Sequence, residues 1–179
     1  MNGWVIIFLL LILASSVGIV YVSIYNTFQR YLLKINEVES TIDILLRERF
    51  DLLSKASAFI KDKTNEVVMK DLIGLEDKNL SSFDLDRTLV SIAKEFYDLK
   101  FKYHNLVKLD TFTDVDFAIK ENEAKVDGYT LYYNDNITKY NHLIRLFPSS
   151  IIAKVSKLEE KLFYDGKNMN DKKTNDFKM

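Results

Sequence analysis

The side chains that could do chemistry here are scattered carboxylates and two histidines. Acid–base catalysis needs two titratable groups set across a substrate, and a zinc-binding helix needs histidines four apart on one face. His104 stands in a turn-like stretch and His142 lies on a helix beside Asn141, with no nucleophile spacing near either. Glu121, Glu123, Glu159 and Glu160 are distributed as helical proteins distribute such residues, and no acid and base pair stands out. There is no glycine-rich phosphate loop, and the absence of cysteine removes thiol catalysis, thiolate metal sites and disulfides together. The expectation is a protein that is not an enzyme, with no catalytic residue, no cofactor and no metal. With 10 Tyr and 12 Phe the chain has rings enough to stack on bases, but most fall on apolar helical stripes. A net charge of −1 gives no field for holding a polyanion, so no nucleic-acid partner is expected.

The elements that carry these residues start with an anchor. No Asp, Glu, Lys or Arg precedes Arg30, and Trp4 to Tyr25 is almost wholly apolar. As an α-helix that run rises roughly 30 Å, the thickness of the hydrocarbon layer, and Ser15, Ser16 and Ser23 can hydrogen-bond within the helix. Residues 1–25 are expected to be a transmembrane anchor, with the lipid bilayer as partner through residues 4–25. A cleaved signal peptide would have a basic n-region and would end its apolar run at Ala14-Ser15-Ser16, whereas this run continues through Val17, Ile19, Val20, Val22 and Ile24. Without cysteine, and with Gly3 out of place for myristoylation, a lipid anchor is not indicated. Arg30 and Lys34 follow the span and nothing basic precedes it, a bias that favours an outside N-terminus and a cytoplasmic body.

Beyond the anchor the pattern is helical, and one proline among 179 residues argues against a turn-dense β fold. Phe28, Leu32, Ile35, Val38, Ile42, Leu45, Leu46, Phe50, Leu53, Ala56, Phe59 and Ile60 recur at spacings of three and four, an amphipathic stripe continuous with the anchor. Asp43, Arg47, Asp51 and Lys55 form a ladder of alternating charge on the other face, read as a solvated face. The stripe loosens through Val67, Val68, Leu72 and Ile73 towards Gly74. A second helix is expected over 83–104, capped by Ser81 or Ser82, and a third over 110–147 with Thr111 and Asp114 spaced like a capping box. Pro148 closes the third, and Ile151, Ile152, Val155, Leu158 and Leu162 support a further short helix. The polar stretch 166–179 is expected to be disordered. Helix lengths pair best if the first helix breaks near Asp51 to Ser54. A continuous long helix is the alternative, because no glycine or proline marks a turn there.

Ile24-Tyr25-Asn26, Ile42-Asp43, Leu46, Arg49 and Asp51-Leu52, followed by Tyr133-Asn134-Asp135, Tyr140-Asn141, Ile144, Phe147-Pro148 and Ala153, give the chain its likeness. In these blocks it resembles the LemA family of bacterial membrane proteins, nearly throughout up to Asp165. It departs from the family pattern at Glu39, Ser54, His104 and Thr130, where the family has a tryptophan, two prolines and an arginine. The resemblance implies an all-α fold in a bacterial cell membrane: a single N-terminal transmembrane helix followed by an antiparallel up-and-down four-helix bundle over 26–165, with no catalytic residues. In that bundle the last long helix returns towards the membrane, bringing Tyr133, Asn134, Tyr140 and Asn141 near Tyr25 and Asn26. Positions 133 and 140, like 134 and 141, are seven apart and share a face, so their amides and hydroxyls are expected to form a polar layer that sets helix register.

The role these features favour is a non-catalytic interaction or scaffold module at the cell envelope, with an unknown protein partner or self-association. A lipid-associated envelope-stress factor and an enzyme with an unrecognised site are the alternatives.

Overall fold

The computed structural model describes residues 3–75 and 78–168, and of the expected disordered tail residues 169–179 lie outside them. Among the described residues the protein is all-α: α1 spans Gly3–Thr64, α2 Ser82–Lys102, α3 Asp110–Arg145 and α4 Ser149–Val155, with a single 3-10 turn at Lys70–Leu72. The chain divides into two compact units, one of residues 1–37 with 133–179 and the other of 38–132, so α1 and α3 each contribute to both.

The helix break expected near Asp51 to Ser54 is absent, and α1 runs unbroken to Thr64. Leu53 and Ala56 stay on its buried stripe, and serine at position 54 leaves every backbone donor of that turn in place. The expected continuation of the first helix towards Gly74 is also corrected. Asn65 takes a left-handed φ of 57° and donates its N–H to the Lys61 carbonyl at 2.8 Å. That is an αL cap, a conformation asparagine tolerates better than most residues, and it ends the helix nine residues before the glycine.

In the 38–132 unit, Asp43 meets Ser82, Arg49 meets Asp86 and Glu66 meets Lys102, so α1 and α2 run in the same direction. Lys100 with Asp116 and Tyr97 with Glu123 show α3 running against α2. The return that an up-and-down four-helix bundle would make with a helix is made instead by the connection 65–81. It is held by the Ser57 hydroxyl donating to the Val68 carbonyl and by the Met69 N–H donating to Glu95. Val68, Met69, Leu72 and Leu75 bury their side chains from it into a core with Ile42, Leu46, Leu53, Ile60, Leu89, Ile92 and Phe96. Phe112 stacks on Phe96 with ring centroids 5.2 Å apart. Ser81 caps α2, accepting from the Asp84 N–H at 3.1 Å. The capping box expected from Thr111 does not form, because α3 already begins at Asp110 and Thr111 lies inside its first turn.

The other unit is built on Phe28, Ile35, Ile137, Tyr140, Ile152 and Ala153, with Ile24, Tyr25, Tyr31, Tyr133, Ile144, Leu158 and Phe163 packed around them. Phe28 and Tyr140 meet edge to face at 5.8 Å. After α4 the chain leaves helical geometry, so the helix expected to extend through Leu158 and Leu162 stops at Val155. Ahead of these contacts, every side chain of α1 from Gly3 to Ser23 is exposed.

Candidate functional site

Two sets of polar side chains are held away from water, one in each unit, and each has a different task. In the 38–132 unit the α1 stripe carries a charge inward: Arg49 is 1% exposed. A buried guanidinium needs an anion and full hydrogen bonding, because its desolvation otherwise costs several kcal/mol. Arg49 Nη1 donates to Asp86 Oδ1 on α2 at 2.8 Å, and Nε donates to Asn122 Oδ1 on α3 at 3.1 Å. Asn122, itself buried, turns its amide nitrogen back to α1, donating to the Leu45 carbonyl at 2.9 Å and to Glu48 Oε2 at 3.2 Å. Three helices are thereby pinned at one level.

Burial raises the carboxyl pKa of Asp86, and the Arg49 guanidinium only partly opposes the shift. A displaced carboxyl pKa is one signature of a catalytic acid, but here the carboxylate oxygen is committed to Arg49 and the cause is burial beside a structural ion pair. Farther along α2, burial and the bond to Glu123 raise the Tyr97 hydroxyl. Burial pushes the Asp116 carboxyl up, yet the ammonium groups of Lys100 and Lys120 more than offset it and leave the carboxyl below its ordinary value. Tyr97 and Glu123 line an open groove of about 870 Å³ together with Lys100, Phe101, His104, Lys108 and Lys120. Its lining is aromatic and charged with both signs, and Lys100 Nζ lies 5.2 Å from the Tyr97 ring centroid.

The second set lies on α3 in the other unit. Asn141 is fully buried, and its amide grips a backbone: Nδ2 donates to the Lys161 carbonyl at 2.7 Å and Oδ1 accepts the Lys161 N–H at 2.9 Å. Two turns before Asn141 on α3, Asn134 Oδ1 accepts the Tyr164 N–H at 2.9 Å. Arg145 extends the row at the other end, its guanidinium meeting both Glu160 oxygens at 2.6 Å and lowering that carboxyl's pKa. The spacing explains the match. Seven residues of helix rise about 10.5 Å and three residues of extended chain advance about 10 Å, so positions 141 and 134 fall opposite 161 and 164. The result is a strap, residues 156–165, laid antiparallel along α3. Tyr133 closes it with an edge-to-face contact to Tyr164 at 6.1 Å.

The expected polar layer is therefore corrected. Tyr25, Tyr133 and Tyr140 do come into one cluster, but Asn134 and Asn141 set the register of a strap and not of a neighbouring helix. Asn26 is exposed. Asp43 leaves the charged ladder to accept the Ser82 hydroxyl at 2.5 Å at the start of α2, while Arg47, Asp51 and Lys55 remain exposed. Phe147 is exposed and joined to Pro148 by a cis peptide ahead of α4. Asp86, Asn122 and Arg145 were not singled out by sequence. The only signal for them is a polar residue on or beside an apolar stripe, which many surface positions share. His104 and His142 are both exposed, and among the described residues no group of three or more His, Cys, Asp or Glu side chains is placed to hold a metal ion.

Compared with known proteins, the family model of the LemA family matches residues 38–177, most of the chain. No curated protein and no solved structure matches it.

Proposed function

The chain belongs to the LemA family, and from that premise we propose a membrane-tethered, non-catalytic helical module, anchored through residues 4–25, that presents its folded units to a protein partner at a bacterial cell membrane. The observation that carries the reading is in α1. Its 18-residue apolar window has a mean hydropathy of 2.8, none of it is buried, and the same helix goes on to supply the core stripe of both units. A soluble helix of that hydropathy would be expected to bury a face against protein, so the surroundings that suit these side chains are lipid. What supports a non-catalytic reading is that Arg49, Asp86, Asn122, Asn134 and Asn141 each hydrogen-bond within the fold. Arg30 and Lys34 on the body side of the span favour an outside N-terminus and a cytoplasmic body.

Because the chain has no cysteine, single replacements Asn2→Cys and Lys94→Cys can be read without background. In spheroplasts a membrane-impermeant maleimide is expected to label position 2, and position 94 only after permeabilisation. Labelling at 94 in intact spheroplasts would reverse the orientation, and recovery of the protein in the soluble fraction would remove the anchor.

A further inference from the structure

Helix α4 buries one side and, among the described residues, leaves the other exposed. Ser149, Ile152 and Ala153 face the core, and the Ser149 hydroxyl donates to the Leu143 and Leu146 carbonyls, closing the end of α3. The opposite side gathers Leu146 at 45% exposure, Phe147 at 80%, Ile151 at 54% and Val155 at 67%. Exposed Lys154 and Lys157 stand beside this patch.

Its height along α1 is fixed by contacts within the same unit. The Tyr21 and Ser156 hydroxyls lie 3.2 Å apart at the end of α4, and Phe28 meets Tyr140 farther up. From that ring pair, seven residues back along α1 lead to Tyr21, about 10.5 Å of helical rise, and five on along α3 lead to its end at Arg145, about 7.5 Å, with Leu146 and Phe147 just beyond. The corner between α3 and α4 thus sits level with Tyr21 and Val22, which are still among the exposed residues of the apolar run.

We propose that this corner is a second membrane contact, with Leu146, Phe147, Ile151 and Val155 seated in the boundary between headgroups and acyl chains and Lys154 and Lys157 meeting anionic headgroups. The proposal rests on the reading of residues 4–25 as a membrane span. Three observations choose lipid over protein as the occupant. The patch is continuous in height with the lipid-facing part of α1. An apolar side flanked by lysines is the composition of an interfacial helix. Four partly exposed side chains offer on the order of a few hundred Å², short of the roughly 800 Å² per partner that a stable second copy would need. Such a contact would also fix the tilt of α1, since the helix would be held at two points on the membrane surface.

The test uses the full chain in vesicles of phosphatidylcholine and phosphatidylglycerol, with an environment-sensitive fluorophore on a single cysteine and bromine-labelled lipids as quenchers at two depths. Ile151→Cys reports the patch, Val155→Cys repeats it, Ile12→Cys reports the span and Lys94→Cys reports water. The expected result is a blue-shifted emission at 151 and 155, quenched more by shallow than by deep bromines, with the reverse order at 12 and no quenching at 94. Emission at 151 and 155 matching that at 94, while 12 is quenched, would overturn the proposal and leave the anchor standing. No quenching at 12 would overturn the anchor and the proposal together. A blue shift at 151 without quenching at either depth would mean a protein neighbour, such as a second copy, and would also overturn it.

Discussion

Arg49 carries its charge to a place where it is 1% exposed, so removing Asp86 is costly mainly for the charge left behind. Asp86→Leu is expected to lower stability by about 3 kcal/mol, the scale for breaking a buried pair. Replacing both, as Arg49→Met with Asp86→Leu, is expected to cost less than the single change, because no unpaired charge remains. Urea unfolding of the four proteins of that cycle checks both statements, and additive losses would show that the pair is not coupled. Asn141 differs because it is neutral and its partner is backbone. Asn141→Leu removes two hydrogen bonds at about 1 kcal/mol each and should release the strap without opening the core under it. Hydrogen exchange at Lys161 and Tyr164 is expected to accelerate while Ile137 and Tyr140 keep their protection. Equal acceleration along α3 would place the amide in helix packing after all. Arg49 and Asn141 were legible as residues of interest from the family blocks alone. Their partners were not, since Asp86 and Asn122 come from other helices and Lys161 offers only its peptide group, which leaves no trace in side-chain pattern.

At the scale of elements, periodicity located the helices and misplaced several of their ends. Of the twelve apolar positions followed from Phe28 to Ile60, Leu32, Phe50 and Phe59 are only partly buried and the others are in the core. The stripe says nothing of where a helix stops. That was decided by Asn65 in a left-handed conformation, a single residue whose type permits the cap without requiring it. Ser54 stands where the resemblance described above puts a proline, and the difference can be reversed. Ser54→Pro would take a backbone N–H out of the middle of α1 and push its ring against the preceding turn, at a cost of about 3 kcal/mol. A fall in thermal midpoint is expected. An unchanged midpoint would indicate that α1 already tolerates a break at this position. The strap was the element least visible in sequence: Leu158 and Leu162 fit a helical stripe, whereas the chain there is outside any helix and held by the side chains of α3.

For the whole molecule, the question is how much of the chain serves folding and how much serves location. The side chains from Trp4 to Val20 are exposed and enter neither core, so on the proposed reading of this segment as a span they would meet lipid and add nothing to the stability of the folded units. Tyr21 is the first residue of α1 with a side-chain contact to another element, through Ser156. A chain beginning at Tyr21 is therefore expected to unfold at the same denaturant concentration as the full protein. Its membrane behaviour should change in degree. Loss of the span leaves the corner between α3 and α4, where four side chains gaining roughly 1 kcal/mol each would give an association constant of about 10³ M⁻¹, weaker than the roughly 10⁴ M⁻¹ of a single myristoyl chain. The shortened chain should stay in the supernatant with micromolar lipid and float with anionic vesicles at millimolar lipid, less so at high salt, where the attraction of Lys154 and Lys157 is screened. Unfolding at a lower denaturant concentration would assign the first twenty residues a part in the fold, and flotation already at micromolar lipid would require a stronger membrane contact than this corner supplies.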